Sequence, residues 1–281
     1  MAATTNRIPA EEISAIDRSR LREASEILLE ARRTVTPIVE LPAKLRPTTL
    51  AEAYFLQDVM IVELGAIAGW KVGALSPEAT PNFAPMFDFG IISTGSIIAT
   101  GMRRMRGIEA EIAFLIGHDL PTRAAEYTRE EVLAAIASAH PAIELLETAY
   151  VDPDKVDRLS MIGDLQMHGG FVHGPAYANW RDYDFSQEKA TVSIDGMLRV
   201  ENGVNPAGPD LIRLVTWLAN QKRTGGLRKG QWVTTGSWTG KTLADAGSSV
   251  HVHFSHFGEV SIQFEEHPPV HPRTEPVVNH T

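Results

Sequence analysis

The stretch Gly107-Ile108-Glu109-Ala110-Glu111-Ile112-Ala113-Phe114-Leu115 constrains this chain most, because it sets two carboxylates two residues apart inside a run that otherwise favours burial. In an extended strand successive side chains alternate between faces. Ile108, Ala110, Ile112 and Phe114 then share one side, and Glu109 and Glu111 share the other with Ala113 and Leu115. Both faces ask to be at least half buried. Two carboxylates crowded onto such a face repel, and one is driven to keep its proton unless a cation neutralises them. A divalent ion meets that need, and hard carboxylate oxygens suit Mg²⁺, Mn²⁺ or Ca²⁺. An E-x-E on the solvent face of an antiparallel strand needs no ligand, so spacing alone leaves both readings open.

The rest of the composition narrows the partner. The formal charge of -9 gives no electrostatic footprint for nucleic acid or an anionic membrane surface, which leaves a small molecule as the expected partner. With no cysteine there is no disulfide, thiolate metal site or cysteine nucleophile, so any metal is oxygen-bound. The start, Met-Ala-Ala-Thr-Thr-Asn-Arg-Ile-Pro, lacks the apolar core of a signal peptide. The uncharged stretch Phe89 to Met102 is too short and too Gly-rich to span a bilayer. A cytoplasmic protein is expected.

Along the chain, Ile13, Ile16, Leu21, Ala24, Ile27, Leu28 and Ala31 among many charges predict one or two amphipathic helices over 11–33. Pro37, Pro42 and Pro47 predict an extended connector, and Thr48 is the candidate cap of a second helix running to about Val62. From Gly69 short strand-like segments dominate. A helix is expected from a Thr128 cap to His140, ended by Pro141, and another from Pro209 or Asp210 to about Gln221. Period-2 alternation marks strands at 250–254 and 260–264. The division predicted is a mainly helical region 1–68, a strand-rich domain 69–265 and a loose tail 266–281.

Several other residues can carry chemistry. Glu144, in Pro141-Ala-Ile-Glu144-Leu-Leu-Glu147, can complete a three-carboxylate site or stand exposed at an element's end. Lys71 lies in an apolar strand, where an ammonium needs an acceptor or a route to the surface. Asp88 precedes Phe89-Gly90 as a turn former does. Asp164 and His168 sit beside Gly169-Gly170, in a loop able to approach a ligand closely. Thr235-Gly236-Ser237-Trp238 offers hydroxyls and backbone N–H groups suited to a substrate carboxylate.

The ordered set Pro47-x-x-Leu50-x-x-Ala53-Tyr54-x-x-Gln57, Gly69-Trp-Lys71-Val-Gly73, Asp88-Phe89-Gly90, Ile108-Glu109-Ala-Glu111-Ile112-Ala113-Phe114, Pro141-Ala-Ile-Glu144, Gly163-Asp164 with Gly169-Gly170-Phe171-Val172-x-Gly174, and Thr235-Gly236-Ser237 resembles the 2-keto-4-pentenoate hydratase branch of the fumarylacetoacetate hydrolase superfamily. The resemblance covers about 45–265. It implies an α+β fold with a mixed β-roll core and peripheral helices, a homo-oligomer, and a Mg²⁺ or Mn²⁺ site on Glu109, Glu111 and Glu144 with Lys71 as the site lysine. It further implies hydration of an unsaturated 2-oxo or 2-hydroxydienoic acid from aromatic-compound breakdown through a metal-stabilised enolate. On that reading Lys71, Asp88, Asp164 and His168 are the catalytic candidates, with Thr235, Ser237 and Trp238 binding substrate.

The chain departs from the branch at Leu165-Gln166-Met167-His168, where an Asn and two Ser hydroxyls are usual, and at His173 and Trp238, where aliphatics are usual. The departure points to a bulkier keto compound or to a proton transfer that uses His168. Three alternatives accompany the hydratase: a C–C bond hydrolase of a β-diketone, a 2-oxo acid decarboxylase, and a catalytically silent ligand-binding relative. The first usually needs a His-Glu pair on an early helix, and the first histidine here is His118.

Overall fold

The computed structural model of the protein describes residues 13–101 and 104–266. The first twelve residues, where no signal peptide is expected, and all but the first residue of the expected tail lie outside the described residues. Among those residues two mixed sheets share one core. The larger runs from edge to edge as β2 (Asn82–Phe87), β1 (Ile67–Gly73), β12 (Trp232–Thr234), β5 (Gly107–Ile116), β7 (Ile136–Leu146), β8 (His168–His173) and β3 (Ile91–Ser93), with β13 (Thr242–Leu243) also on β5. The smaller runs β10 (Met197–Gly203), β9 (Ala190–Ile194), β14 (Ser249–Phe254), β15 (Gly258–Phe264) and β4 (Ser96–Ile98). A short pair, β6 (Leu120–Pro121) with β11 (Gly226–Leu227), stands apart.

The alternation read in β5 is realised. Ile108, Ala110, Ile112 and Phe114 enter the main core with Val192, Val252, Val260 and Ile262 of the second sheet. Ala113 and Leu115 instead join a small cluster with Phe171 and Trp232 on the opposite face. That second face carries Glu109 and Glu111.

Helix α1 (Ala15–Arg33) is one helix rather than two, capped by Ser14 and burying Leu21, Ala24, Leu28 and Ala31. Helix α2 (Leu50–Leu64) is capped by Thr49, not by Thr48. Thr48 instead donates its N–H and hydroxyl to the Glu52 carboxylate, 2.6 and 3.0 Å away. The two helices form a second core with Phe87, Ala149, Tyr150 and Leu165 from the strand-rich part. In the connector, Ile38 bridges to Tyr150.

The helix expected over 128–140 is cut short. A capping box of Thr128 and Glu131 starts α3 (Arg129–Ala135), but Ile136 to Leu146 is strand β7, so Pro141 ends nothing. β7 pairs β5 from Ile116↔Ile136 to Gly107↔Leu146, and that long ladder outweighs the local helical periodicity. Pro141 fits because its carbonyl faces β8, accepting the Gly174 N–H at 2.8 Å, so its missing donor falls where the β8 ladder ends. A further short helix, α4 (Arg158–Gly163), which the sequence did not announce, leads into β8. Helix α5 (Leu211–Ala219) starts from an Asp210 cap as expected.

Candidate metal centre and active site

Strand register assembles the centre. Glu109 of β5 lies directly opposite Glu144 of β7, and Glu111 follows two residues on, on the same face. One carboxylate oxygen from each of the three lies within 4.8 Å of the others. Lys71 arrives from β1, which pairs β12 in the register Lys71↔Thr234, while Thr234 pairs Ala113 of β5. Its Nζ lies 2.7 Å from Glu144 Oε1 and donates to the Gln166 carbonyl at 2.9 Å. His168, first residue of β8, places Nδ1 2.9 Å from the same Glu144 oxygen.

The other two carboxylates are held from the β12 end. The Thr234 hydroxyl donates to Glu111 Oε2, and so does the Gly236 N–H at 3.2 Å. Gly236 has φ 84°, a conformation a side chain would oppose, and this aims its N–H at the carboxylate. The Ser237 hydroxyl faces Glu109 and acts to lower its pKa.

Burial and crowding set the protonation states. Burial pushes Glu111 well above the ordinary carboxylate range, helped by the charges of Glu144 and Glu109. Burial also raises Glu109, against the pull of Lys71. Glu144 is buried too, but Lys71 and His168 outweigh that and hold it below its usual value. Burial disfavours the Lys71 ammonium, yet the three glutamates raise its pKa. His168 is pushed down by burial despite Glu144, so the ring is neutral, Nδ1 carries the proton that faces the carboxylate, and Nε2 is bare.

Two features fit this set to a divalent ion. Glu144 Oε2 is buried without a hydrogen-bond partner, a costly state for a carboxylate oxygen unless a ligand completes it. Three carboxylates crowd one ammonium, so that Glu111 is driven to hold its proton, a cost that a divalent cation among them would relieve. Glu109, Glu111 and Glu144 are the residues that would hold the ion, all through hard oxygen donors.

Other expected site residues lie elsewhere. Asp164 is fully buried, but Oδ1 takes the Arg32 Nε at 2.6 Å, and Oδ2 takes the Thr148 hydroxyl at 2.6 Å and the Ala149 N–H at 2.9 Å. Both oxygens are thus engaged, and Asp164 is not among the carboxylates the structure gathers with Glu144. Asp88 is exposed and accepts from the Phe89 N–H at 2.7 Å, closing its own turn. Thr235 spends its hydroxyl on the Ile112 carbonyl at 2.7 Å. Trp238 is 3% exposed and meets Phe254 edge-on in the main core, on the side of the sheet away from the carboxylates. Of the expected substrate binders only Ser237 borders the cluster.

Sequence reasoning missed Thr234, the Gln166 carbonyl and Arg32. Strand alternation puts Thr234 and Thr235 on opposite faces, but only the register of β12 decides which one faces Glu111. Gln166 contributes through its backbone, which leaves no side-chain signature. Arg32 reaches from α1, and nothing in a charge-rich helix marks one arginine among several. Beyond His168, a cavity of about 900 Å³ opens between the helices and the sheet, bordered by Arg32, Leu64, Phe89 and Leu165.

Fold and site together present a three-carboxylate cluster able to hold a divalent ion, carried on a mixed β-roll. The chain belongs to the fumarylacetoacetate (FAA) hydrolase C-terminal family, whose sequence profile matches residues 70–265. It is similar to the 2-keto-4-pentenoate hydratase of Paraburkholderia xenovorans (strain LB400), at 26% identity over 258 residues, 86% of this chain and 94% of that protein. It is likewise similar to the 2-oxo-hept-4-ene-1,7-dioate hydratase of Escherichia coli, at 27% identity over 242 residues, 77% of this chain and 87% of that one. Its fold is that of the 4-oxalocrotonate decarboxylase of Pseudomonas putida G7, solved with magnesium and adipate. That match has a TM-score of 0.74 at 22% identity and spans 92% of this chain and 100% of the other. Among the described residues no helix is long and apolar enough to cross a membrane.

Proposed function

We propose that the protein is a divalent-metal-dependent hydratase acting on an unsaturated 2-oxo or 2-hydroxydienoic acid of aromatic-compound catabolism. The observation that carries this reading is the unpartnered Glu144 Oε2 inside a three-glutamate cluster beside a buried lysine. The hydratase names of relatives aligned over most of their length support it.

A bound Mg²⁺ or Mn²⁺ supplies a Lewis acid for the oxygens of a 2-oxo acid. The chain's own groups do the rest. Lys71, fixed between Glu144 Oε1 and the Gln166 carbonyl, adds a second positive charge where enolate charge develops. Thr234 and the Gly236 N–H keep Glu111 from swinging away. His168, donating from Nδ1 to Glu144, keeps Nε2 free to take the proton of the attacking water.

The test is turnover of 2-keto-4-pentenoate and 2-oxo-hept-4-ene-1,7-dioate, followed by ultraviolet absorbance with mass analysis of the product. Activity lost in EDTA, restored by Mg²⁺ or Mn²⁺ and yielding the hydrated acid is the expected result. A product short of CO₂ or split at a C–C bond would replace hydration with decarboxylation or hydrolysis. Metal binding without turnover on either acid would leave a ligand-binding relative.

A further inference from the structure

The segment that departs from the hydratase pattern has an unusual backbone. Leu165, Gln166 and Met167 are consecutive non-glycine residues with φ of 55°, 52° and 62°. Side chains disfavour that left-handed region, and runs of it are rarer still. Such a turn persists only where its surroundings over-determine it. It carries two contacts of the centre: the Gln166 carbonyl receives Lys71 Nζ at 2.9 Å, and the next residue, His168, faces Glu144 at 2.9 Å.

One guanidinium spans this turn. Arg32, in the last turn of α1, donates from Nη2 to the Asp164 carbonyl just before it at 2.9 Å and from Nη1 to the His168 carbonyl just after it at 3.0 Å. Nη2 also reaches the Glu147 carbonyl at 3.0 Å, and Nε pairs with the Asp164 carboxylate at 2.6 Å. Within the turn, the Met167 N–H returns to the Asp164 carbonyl at 3.1 Å, and the Glu147 N–H takes the Met167 carbonyl at 2.8 Å. A lysine has the charge but not the planar fork these acceptors match.

We infer that Arg32 is a positioning residue: from α1 its guanidinium clamps the left-handed turn 165–167, so that the Gln166 carbonyl holds Lys71 and His168 meets Glu144. The N-terminal helical layer thereby acts on the centre through one side chain. This rests on reading Lys71 and Glu144 as the reacting site, but the test does not need that reading to hold.

Amide hydrogen exchange and the His168 ring ¹H–¹⁵N signal are recorded for metal-free wild type, Arg32→Lys, and Arg32→Lys with Met167→Gly. The amides of Glu147 and His168 exchange about tenfold faster or more in Arg32→Lys, while Val252 and Val260 in the far sheet keep their rates. The His168 Nδ1 proton signal broadens or is lost. Adding Met167→Gly recovers much of the protection, because glycine takes a positive φ without penalty. On a turned-over dienoate, Arg32→Lys lowers kcat about tenfold with KM within about twofold, and the glycine restores part of it. A plain structural pin would show no recovery by glycine. Unchanged exchange at 147 and 168 in Arg32→Lys, or loss that Met167→Gly does not reverse, overturns the inference. The exchange arm needs no turnover, so it decides the role of Arg32 even where the hydratase reading fails.

Discussion

Glu144 and Asp164 are both fully buried carboxylates, and both are paired with a cation at close range, Lys71 at 2.7 Å and Arg32 at 2.6 Å. Their surroundings differ in one respect. Asp164 spreads its partners over both oxygens, whereas Glu144 crowds Lys71 and His168 onto Oε1 and leaves Oε2 with none. The satisfied carboxylate ties α1 to the segment before β8. The half-satisfied one keeps an oxygen that a ligand can complete, as a buried polar atom without a partner calls for. Burial and charge alone would not separate the two.

Breaking the satisfied pair should have the largest effect on the fold. Asp164→Asn leaves Arg32 facing a neutral amide, and a broken buried ion pair typically costs about 3–5 kcal/mol. Urea unfolding in EDTA measures this loss, and addition of Mg²⁺ should not remove it. A cost below about 1 kcal/mol would erase the contrast between the two carboxylates.

Next comes Glu111→Gln, where the sign reverses. Removing a carboxylate that is repelled by Glu144 and Glu109 should raise the melting temperature of the metal-free protein. In the same variant Mg²⁺ affinity should fall by more than the roughly 10- to 100-fold that loss of an outer partner brings. Calorimetric titration beside thermal melts in EDTA reads both. A variant less stable without metal and equal in affinity would argue that Glu111 is structural.

Thr234→Val probes that outer partner directly. It removes the hydroxyl on Glu111 Oε2 and should weaken metal binding by roughly 10- to 100-fold with little change in stability. Thr235→Val, whose hydroxyl goes to the Ile112 carbonyl, should leave metal affinity unchanged.

The smallest effect concerns pH. His140 lies outside the centre, donating from Nδ1 to the Gly174 carbonyl and accepting from Ser138, and burial lowers its pKa below the usual 6.5. A folded-state value below the unfolded one means its stabilising share is complete above about pH 6.5 and shrinks as pH falls toward the folded value. Between pH 7 and 5 wild type should therefore lose slightly more stability than His140→Gln, by under about 1 kcal/mol. Parallel pH profiles would show that His140 charges freely in the fold.

Much of this was legible before any coordinates. Strand alternation in 107–115 gave the two faces of β5, and the ordered motifs brought Glu109, Glu111, Glu144 and Lys71 to one place. What escaped was set by tertiary pairing. Residues 136–140 carry helical spacing yet lie in β7, because pairing with β5 fixes them. Asp164 sits in a family motif and Trp238 directly follows one, but sequence position does not tell which way a side chain faces, and here one meets Arg32 and the other the core. The left-handed turn before His168 lacks glycine, so no residue type signalled it.

The most direct test is a crystal structure with Mn²⁺ recorded at a wavelength where the ion scatters anomalously. The account predicts one peak bounded by Glu109, Glu111 and Glu144, with Oε2 of Glu144 among its ligands. A peak elsewhere, or bound manganese that leaves that oxygen untouched, would contradict it.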